Sequence, residues 1–486
     1  MPSSLLSFLA SAPELPGASP DEYIELYQTA PRVVESERLD PRVRALVRAR
    51  ANDPRFVEPR ALDASPFLAR ARNEGVAVVG AGLMGTSIAA SFVNARFPTL
   101  AYDSVEAARD AAPARIEREL TTLRAALGDA ATDPDEEASL VRALIDKFYR
   151  VSDELADVAR RPVVVESIPE KLKLKLKLYR ELDALGQSEI LLMTNTSSLR
   201  VAELSAELPR ESARRPLAAE RFLAFHFFHP ATKRAAVELA FGSATSHQTL
   251  DDATAFARAI RKTPLRVADS QGFLVNRLLQ AYLNESLALL DERVEPARLE
   301  ALAREMGMEG PPLRILDEIG LDVALRSGWS FLKAFPTRTH ESKALEELVR
   351  TGKLGRKTQL GFYRYASSAP WRDDATLEFG ANESAARDDA RADDETLARR
   401  IAIAIFMEAA RCVDEGVANS YQEADVALTL ALGFPRAKGG ICYWAFASGL
   451  ATVLAEADQF NARGDRFTPP RSLVRVADSL QRGRDD

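Results

Sequence analysis

Cysteine and long uncharged stretches are both scarce in this chain of 486 residues. The two cysteines, Cys412 and Cys442, fit a reducing compartment and provide neither a disulfide framework nor a thiolate metal site. The one long uncharged window, residues 75–95, carries three patterned glycines, so a buried strand, turn and helix explain it better than a membrane span. The N-terminus lacks a basic leader and is too polar for a signal peptide. We therefore expect a cytoplasmic protein with no membrane span.

An excess of positive charge is also missing, because the net charge is −7 at pH 7. Such a balance gives no general attraction to nucleic acid, and no nucleic-acid partner is expected. The apolar fraction of 46% is ordinary for globular proteins and ample for a sizeable core. A chain of this length is expected to form about two to four domains.

The rest of the chain is organised around residues 76–103. Residues 76–79 (VAVV) are apolar and β-branched, which is typical of a buried parallel strand, and glycines follow at G-x-G-x-x-G spacing. The first glycine allows a tight turn, the second lets the backbone approach a pyrophosphate, and the third lets the helix pack close to the strand. The helix N-terminus offers N–H groups and a positive dipole end to phosphates. The predicted phosphate-binding residues are Gly80, Gly82, Leu83, Met84 and Gly85.

A second short apolar run, residues 99–102, ends in Asp103, 23 residues after Gly80. An acid at this distance accepts hydrogen bonds from both ribose hydroxyls and repels a 2′-phosphate, so NAD is favoured over NADP. The glycine pattern alone is weak evidence. Together with the preceding strand, the following helix and the acid, it predicts an NAD-binding domain.

Strand and helix signals alternate after Asp103. Residues 107–127 and 135–149 carry apolar residues at helical spacing and predict a helical hairpin. Strand signals return at residues 163–165, 190–193, 222–225 and 236–241, which predicts a doubly wound parallel sheet. Residues 171–182 (KLKLKLKLYREL) alternate like a strand. We predict a helix there, because lysine and leucine are good helix formers, Pro169 suits a first turn, and the next strand needs a crossover.

From residue 273 onward the chain is predicted to be almost entirely helical, apart from a Gly-rich loop at residues 353–365. It also contains an internal repeat. Asn284-Glu285 and Asp291-Glu292 match Met407-Glu408 and Asp414-Glu415 at an offset of 123 residues, and each copy runs on to a Gly/Pro turn. This indicates a duplicated helical domain. Asn276-Arg277 of the first copy corresponds to Arg399-Arg400, so the second copy lacks the equivalent of Asn276 and is expected to be structural.

Four short motifs supply candidate catalytic residues: TNTSSL (194–199), FHFFHP (225–230), VEL (237–239) and GFLVNRLL (272–279). His226 could act as a general base, and Glu238 could hold its tautomer. Ser197 and Asn276 could bind a hydroxyl or a developing oxyanion. Three of them also have an ordinary structural explanation: His226 as a satisfied core histidine, Ser197 as a helix cap, and Asn276 as a packing or surface residue.

The order and spacing of these motifs resemble the L-3-hydroxyacyl-CoA dehydrogenase family over about residues 75–325. Residues 340–450 resemble the duplicated C-terminal domains of the multifunctional fatty-acid oxidation proteins. The resemblance implies a Rossmann-type doubly wound α/β domain followed by two all-α domains of the 6-phosphogluconate-dehydrogenase-like kind. It further implies NAD-dependent oxidation of L-3-hydroxyacyl-CoA to 3-ketoacyl-CoA, as in fatty-acid β-oxidation.

The resemblance also implies residue roles. His226 is implied as the catalytic base and Glu238 as its partner, while Ser197 and Asn276 bind the 3-oxygen and the reacting region. The helical hairpin is implied to cover the CoA side of the cleft. Positions near the nicotinamide, the ribose and the rest of the cofactor site correspond to Glu170, Lys175 and Asn195.

The chain departs from the family pattern in several places. His229 replaces the usual Asn of HFFNP, close to the reacting centre, so the change bears on substrate and pH preference. A metal site at His226-x-x-His229 is not expected, because i and i+3 on a strand point to opposite faces. Residues 209–221 are an additional segment rich in arginine, namely Arg210, Arg214, Arg215 and Arg221. It is either a surface loop or a docking site for a phosphate or a carrier protein.

The expected domain division has five parts: an N-terminal, partly helical extension (1–70), the NAD-binding domain (71–268, with the hairpin at about 105–150), the first helical domain (269–366), an acidic linker (367–395) and a second helical domain (396–486). We expect no hydratase domain before the dehydrogenase, because the 70-residue N-terminal extension is too short to be one. An acyl-CoA substrate is expected, and a homodimer or an association with a hydratase or thiolase is considered.

Two alternative functions remain open: the same chemistry on a carrier-bound acyl group or small 3-hydroxy acid, and a non-catalytic subunit that binds NAD and acyl-CoA.

Overall fold

A computed structural model of the chain describes residues 65–186, 188–209, 216–368, 375–379, 392–434 and 440–485. The contacts between residues divide it after Phe273 into two units. Each unit is described by itself. Most of the N-terminal extension, most of the acidic linker, and Arg210, Arg214 and Arg215 of the additional segment lie outside the described residues.

Within its described residues, the first unit contains eight strands and eight α-helices. The strands are β1 (Val76–Val79), β2 (Thr99–Tyr102), β3 (Tyr149–Ser152), β4 (Val163–Glu166), β5 (Leu191–Thr194), β6 (Phe222–Phe227), β7 (Ala236–Phe241) and β8 (Thr263–Ala268). The helices are α1 (Pro66–Glu74), α2 (Leu83–Asn94), α3 (Glu106–Ala126), α4 (Pro134–Phe148), α5 (Leu155–Val158), α6 (Leu172–Leu185), α7 (Val201–Ser205) and α8 (His247–Ala259).

All eight strands belong to one sheet, in the order β3-β2-β1-β4-β5-β6-β7-β8. Strands β1 to β6 run parallel, and β1, β4 and β5 are buried at every position, as expected for strands covered on both faces. The order reverses between β1 and β4, the kind of switch point where such sheets bind ligands. The predicted Rossmann-type α/β fold is confirmed.

The sheet differs from the prediction of a wholly parallel arrangement. Strand β7 is antiparallel to β6, and β8 is parallel to β7. The reason is the short connection of residues 228–235, since a parallel pair needs a crossover of about a dozen residues or more. Two strands were not predicted. Strand β3 is half exposed and directly follows a helix, and β8 contains Pro264 and Arg266, which is compatible with its place at the sheet edge.

Helix α6 confirms that the alternating KLKL segment is helical. Its buried residues are Lys175, Leu176, Leu178, Tyr179 and Leu182, which follow three- and four-residue spacing. Burial on one face of the helix therefore overrides the two-residue pattern of the sequence. The hairpin of α3 and α4 spans the two segments predicted to be helical, and Arg124 Nε donates to Glu137 Oε1 across it at 2.6 Å.

The second unit is helical, as predicted. Its helices are α9 (Val275–Asp291), α10 (Pro296–Glu305), α11 (Pro312–Ile319), α12 (Leu321–Ala334), α13 (Lys343–Arg350), α14 (Asp394–Asp414), α15 (Tyr421–Leu432), α16 (Ile441–Ala447), α17 (Leu450–Gln459) and α18 (Arg471–Asp485). A small antiparallel ribbon pairs β9 (Tyr363–Tyr365) with β10 (Ala375–Leu377), so part of the predicted Gly-rich loop is a strand. None of the described helices has the length and apolar character needed to cross a membrane.

The first helices of the two sequence copies, α9 and α14, pack against each other and exchange ion pairs. Arg277 contacts Glu408 at 2.6 Å and Glu415 at 2.5 Å. Arg400 contacts Glu285 at 2.5 Å and Glu292 at 2.5 Å. The offset of 123 residues maps each member of the first set onto its equivalent in the second. The two copies therefore bind each other through the same positions in both directions.

Candidate active site

The glycine turn between β1 and α2 leaves open space where a phosphate would approach. A Cβ on Gly80 (φ +108°) would lie 2.5 Å from the carbonyl oxygen of Ser167, and one on Gly85 would lie 1.8 Å from that of Gly80. At Gly82 no heavy atom of the described residues lies within 4 Å of such a Cβ. The first and third glycines are thus required by packing, and the second leaves room for a ligand, which fits a pyrophosphate.

The start of α2 is accessible. Gly82 and Leu83 are exposed and Met84 is half-buried. The N-cap is Gly82, which has no side chain to cap the helix. The first N–H groups of α2 can therefore bind an anion.

Asp103, which is predicted to bind the ribose, lies against this turn. Its Oδ2 accepts from Ala81 N at 2.8 Å, and its Oδ1 accepts from Val105 N at 2.9 Å. Two arginines of α3 reach the same place. Arg109 donates to the carbonyl of Asp103 at 2.8 Å, and Arg115 donates to the carbonyl of Ala81 at 3.0 Å. Sequence reasoning missed both arginines, because charged residues on a solvated helix carry no distinguishing pattern.

His226 and Glu238 are directly opposite each other on the antiparallel strands β6 and β7. Their side chains are therefore cross-strand neighbours, and His226 Nδ1 lies 2.7 Å from Glu238 Oε2. On the other side of the ring, His226 Nε2 lies 3.0 Å from Ser197 Oγ. Both His226 and Glu238 are buried, whereas Ser197, in the loop after β5, is exposed. The imidazole can thus be approached from the side of Ser197.

The hydrogen bonds define the tautomer of the neutral imidazole. An ionised carboxylate only accepts, so Glu238 requires a proton on Nδ1 of His226. Nε2 then carries the lone pair and accepts from the Ser197 hydroxyl. The ring packs edge-on against Phe228, with centroids 4.9 Å apart, and 5.9 Å from Phe273. The site presents a basic nitrogen in a fixed orientation, which is what a general base requires.

Glu170 fastens the loop that carries Ser197. Its Oε1 accepts from Thr196 Oγ1 at 2.5 Å, from Ser197 N at 3.0 Å and from Ser198 N at 2.9 Å. Desolvation by itself raises the pKa of Glu170. The Lys175 ammonium and the hydrogen bonds from Thr196 and Ser198 outweigh it, so the pKa of this carboxyl is lowered. Ser197 is not a helix cap, since the N-cap of α7 is Arg200.

Lys175 is fully buried beneath this loop. Its Nζ lies 2.7 Å from Glu166 Oε1 and 3.2 Å from Glu170 Oε2. Glu166 also accepts hydrogen bonds from Tyr179 at 2.9 Å and Thr194 at 2.7 Å. Burial and the neighbouring Glu166 raise the pKa of Tyr179 well above its ordinary value. Sequence reasoning missed Glu166, although an acid closing the apolar strand VVVE at the carboxyl edge of the sheet was a usable signal.

Asn195 joins the ends of neighbouring strands. Its Nδ2 donates to Ser167 Oγ at 3.3 Å, and its Oδ1 accepts from Phe227 N at 2.9 Å. Asn276 lies in the second unit, as the second residue of α9, and is half-buried there. The predicted residues of the first unit thus meet at the carboxyl edge of one sheet, and the role of Asn276 remains a prediction.

The turn after β6 contains His229, which is exposed and joined to Pro230 by a cis peptide bond. Lys262 anchors this turn, because its Nζ donates to the carbonyls of Ala231 and Arg234, each at 2.7 Å. Burial lowers the pKa of Lys262 to about 8.

Comparison with known proteins finds two family domains in this chain. Residues 75–270 match the family model "3-hydroxyacyl-CoA dehydrogenase, NAD binding domain", and residues 272–365 match "3-hydroxyacyl-CoA dehydrogenase, C-terminal domain". The fatty acid oxidation complex subunit alpha of Shewanella putrefaciens is 29% identical over 402 residues, covering 82% of this chain and 54% of that protein. The chain therefore spans about half the length of the curated relatives it matches.

Two solved structures share the fold. The 3-hydroxybutyryl-CoA dehydrogenase of Escherichia coli K12 aligns with a TM-score of 0.67 at 23% identity, covering 84% of this chain and 98% of that one. The (S)-3-hydroxybutyryl-CoA dehydrogenase of Ralstonia eutropha aligns with a TM-score of 0.53 at 28% identity, covering 60% of this chain and 99% of that one.

Proposed function

The chain belongs to the 3-hydroxyacyl-CoA dehydrogenase family, and on this premise we propose that it oxidises L-3-hydroxyacyl-CoA to 3-ketoacyl-CoA with NAD. The observation that carries the proposal is the sequence of contacts Ser197–His226–Glu238, at 3.0 and 2.7 Å, on the same sheet edge as the glycine turn. Strands β1 and β6 are three positions apart in this sheet, about 14 Å at the usual strand spacing.

In the proposed mechanism, His226 Nε2 takes the proton of the substrate's 3-hydroxyl. Glu238 stabilises the resulting imidazolium through the Nδ1 hydrogen bond, as the acid does in a catalytic triad. The Ser197 hydroxyl, together with Asn276, holds the oxygen as it becomes a ketone. NAD, bound through Gly82, Leu83, Met84 and Asp103, would supply the acceptor for the C3 hydride. A base of this kind contributes about 10²- to 10⁴-fold in rate.

We propose supporting roles for three further residues. Glu170 orders the Ser197 loop and lies on the nicotinamide side of the site, and Asn195 lines the cofactor site. Lys175 is assigned to the ribose side. Because its ammonium is fully buried between Glu166 and Glu170, it acts there through these carboxylates. The exposed His229 is proposed to influence substrate and pH preference.

Domains, partners and location are proposed on more general grounds. The proposed division between the NAD-binding domain (71–268) and the helical domains (269–366 and 396–486) is supported by the unit boundary after Phe273, and the two helical domains fall within one unit. An association with a hydratase or thiolase is suggested by a relative that is named as a subunit of a complex and of which this chain covers 54%. A homodimer is proposed as the alternative. The two cysteines, both buried free thiols, favour the cytoplasm.

The test is an NADH-absorbance assay with 3-hydroxybutyryl-CoA and longer acyl-CoA substrates, comparing NAD with NADP. His226→Gln is expected to keep NADH binding and to lose about 10²- to 10⁴-fold in turnover, because its amide cannot take the hydroxyl proton. Turnover only with carrier-bound acyl groups or free hydroxy acids would change the substrate assignment. Binding of NADH and acyl-CoA by the wild type without any turnover would make the chain a non-catalytic subunit.

A further inference from the structure

The second unit contains a pocket, open to solvent, in which arginine predominates. Four arginines line it, Arg277, Arg338, Arg411 and Arg466, and one glutamate, Glu408. We call this the arginine pocket. Phenylalanine and alanine side chains complete the lining, together with two amides and a threonine.

Among the described residues, the acids that contact the arginines of the pocket are fewer than the arginines. Arg338 contacts Glu408 at 3.4 Å and Glu415 at 3.1 Å, and both acids already contact Arg277. Arg411 contacts Glu408 at 3.3 Å. Together with the ion pairs between α9 and α14, these contacts form a network that joins five arginines to four glutamates among the described residues. The arginines are Arg277, Arg338, Arg400, Arg411 and Arg466, and the glutamates are Glu285, Glu292, Glu408 and Glu415. Within the described contacts, the network therefore has one more arginine than glutamate.

Arg411 shows how burial and neighbouring arginines act on one guanidinium of the pocket. It is buried and donates to the backbone carbonyls of Asp465 and Thr468, at 2.5 and 2.6 Å. Burial, with repulsion from Arg338 and Arg277, lowers the pKa of its guanidinium even though Glu408 lies beside it. A bound anion would offset both the burial and the repulsion.

Comparison of the two repeats shows that helix packing does not require these polar groups. On the pocket side, α9 contributes Gln280 and Asn284, and α14 contributes Arg411. The equivalent positions in the other copy, 123 residues away, are Ile403, Met407 and Ala288, all of which are buried. The pair of helices α9 and α14 therefore carries polar residues at three repeat positions on the pocket side. On the opposite side, the equivalent three positions are apolar.

We propose that the arginine pocket binds a phosphate group. Guanidinium groups offer paired N–H donors that match phosphate oxygens, and several arginines suit a dianion. Phe335 lies under Arg277 and Arg338, at 4.8 and 4.5 Å, and holds both guanidiniums in place. The Asn284 Oδ1 accepts from His340 N at 3.1 Å, so its amide NH₂ is the group it offers to a ligand.

Calorimetry with inorganic phosphate tests the proposal on the full chain, at constant ionic strength maintained with sodium chloride. We expect saturable binding that Arg338→Met weakens at least tenfold. Gln280→Ile, which introduces the residue of the other repeat, is expected to weaken it with little effect on folding. Arg326→Met is the matched control, because this exposed arginine of α12 pairs only with Asp322 in the described contacts. Absence of saturable binding, or equal binding by wild type and both pocket variants, would overturn the proposal.

The source of the phosphate is resolved by comparing CoA with dephospho-CoA, which lacks the 3′-phosphate. If the bound group is the 3′-phosphate of CoA, Arg338→Met weakens CoA binding and leaves dephospho-CoA binding unchanged. If the ligand is free phosphate, the variant changes only the binding of inorganic phosphate. The readout is binding without turnover, so a failure of the proposed dehydrogenase activity would not affect it.

Discussion

In the described contacts, Glu238 reaches the proposed chemistry through the ring of His226, so its substitution separates orientation of the base from cofactor binding. Glu238→Gln is expected to lower kcat by about 10²- to 10⁴-fold, because a neutral amide stabilises the imidazolium poorly. Titration of NADH fluorescence should give the same Kd as the wild type. Glu207→Gln is the control, since this exposed glutamate pairs only with Arg180 in the described contacts. An unchanged kcat in Glu238→Gln would remove the carboxylate from the mechanism.

Gly82 provides a residue-level test of where the cofactor lies. A methyl group there meets no described atom within 4 Å, and the backbone has an ordinary negative φ, so Gly82→Ala should fold with unchanged stability. We expect NADH affinity to fall at least tenfold, because the methyl group would occupy the space proposed for the pyrophosphate. In Gly328→Ala, within α12, affinity should not change and stability should rise by about 0.5–1 kcal/mol. Full NADH affinity in Gly82→Ala would contradict the proposed cofactor position.

For individual residues, the sequence predicted the side chains that come together in the candidate site. It did not predict all of the residues that hold the surrounding turns and loops in place. Gly80, Asp103, Ser197, His226 and Glu238 belong to motifs with fixed spacing, and each lies at the sheet edge. Glu166, Arg115 and the anchoring Lys262 were missed. Their roles depend on which backbone or side-chain atoms the fold brings to them, and no local pattern records that.

Among the elements, the loop of residues 196–199 depends on one carboxylate from the segment before α6. The folded-state pKa of Glu170 lies below the ordinary value of 4.5. Its contribution to stability is therefore complete above that value and is lost as the pH falls through the folded-state pKa. We expect the free energy of unfolding of the wild type to decrease below about pH 4.5, and that of Glu170→Gln to decrease less steeply.

Urea denaturation at a series of pH values from about 3.5 to 7 checks this expectation. Glu170→Gln should also be less stable than the wild type at pH 7, because charge-assisted hydrogen bonds to the loop are replaced by neutral ones. A lower kcat of Glu170→Gln would indicate that the loop of residues 196–199 positions Ser197. Parallel pH dependence in the two proteins would show that Glu170 does not hold the loop by its charge.

The elements also show where sequence patterns were sufficient. The strands β1 and β2 were predicted with their observed bounds, because runs buried on both faces are short, apolar and closed by glycine or an acid. The direction of β7 was not predictable from its composition. It follows from the connection after β6, which is too short for a crossover, and that same reversal places Glu238 opposite His226.

At the scale of the whole second unit, the duplicated sequence becomes a pair of helices that satisfy each other's charges. Arg277 and Arg400 are both buried, and each is bonded to two glutamates of the other copy. The offset of 123 residues was visible in the sequence, but the ion pairs between the two copies were not. A sequence repeat does not indicate whether each copy forms its contacts internally or with the other copy. Removing one partner of a buried pair costs about 3–5 kcal/mol, so neither copy is expected to be stable alone.

This exchange predicts what a chain ending at Ser368 will do. Without α14, Arg277 loses Glu408 and Glu415, and the apolar face of α9 becomes exposed. Because Glu285 and Glu292 occupy the equivalent repeat positions, two truncated chains can pair α9 with α9, each Arg277 bonding these two glutamates of its partner. Light scattering should give twice the mass of the truncated chain. Arg277→Glu in the truncated chain places acid against acid and should abolish the dimer, whereas Arg326→Glu should not. A stable monomeric truncation with the thermal stability of the full chain would show that the second copy is not needed to cover the first.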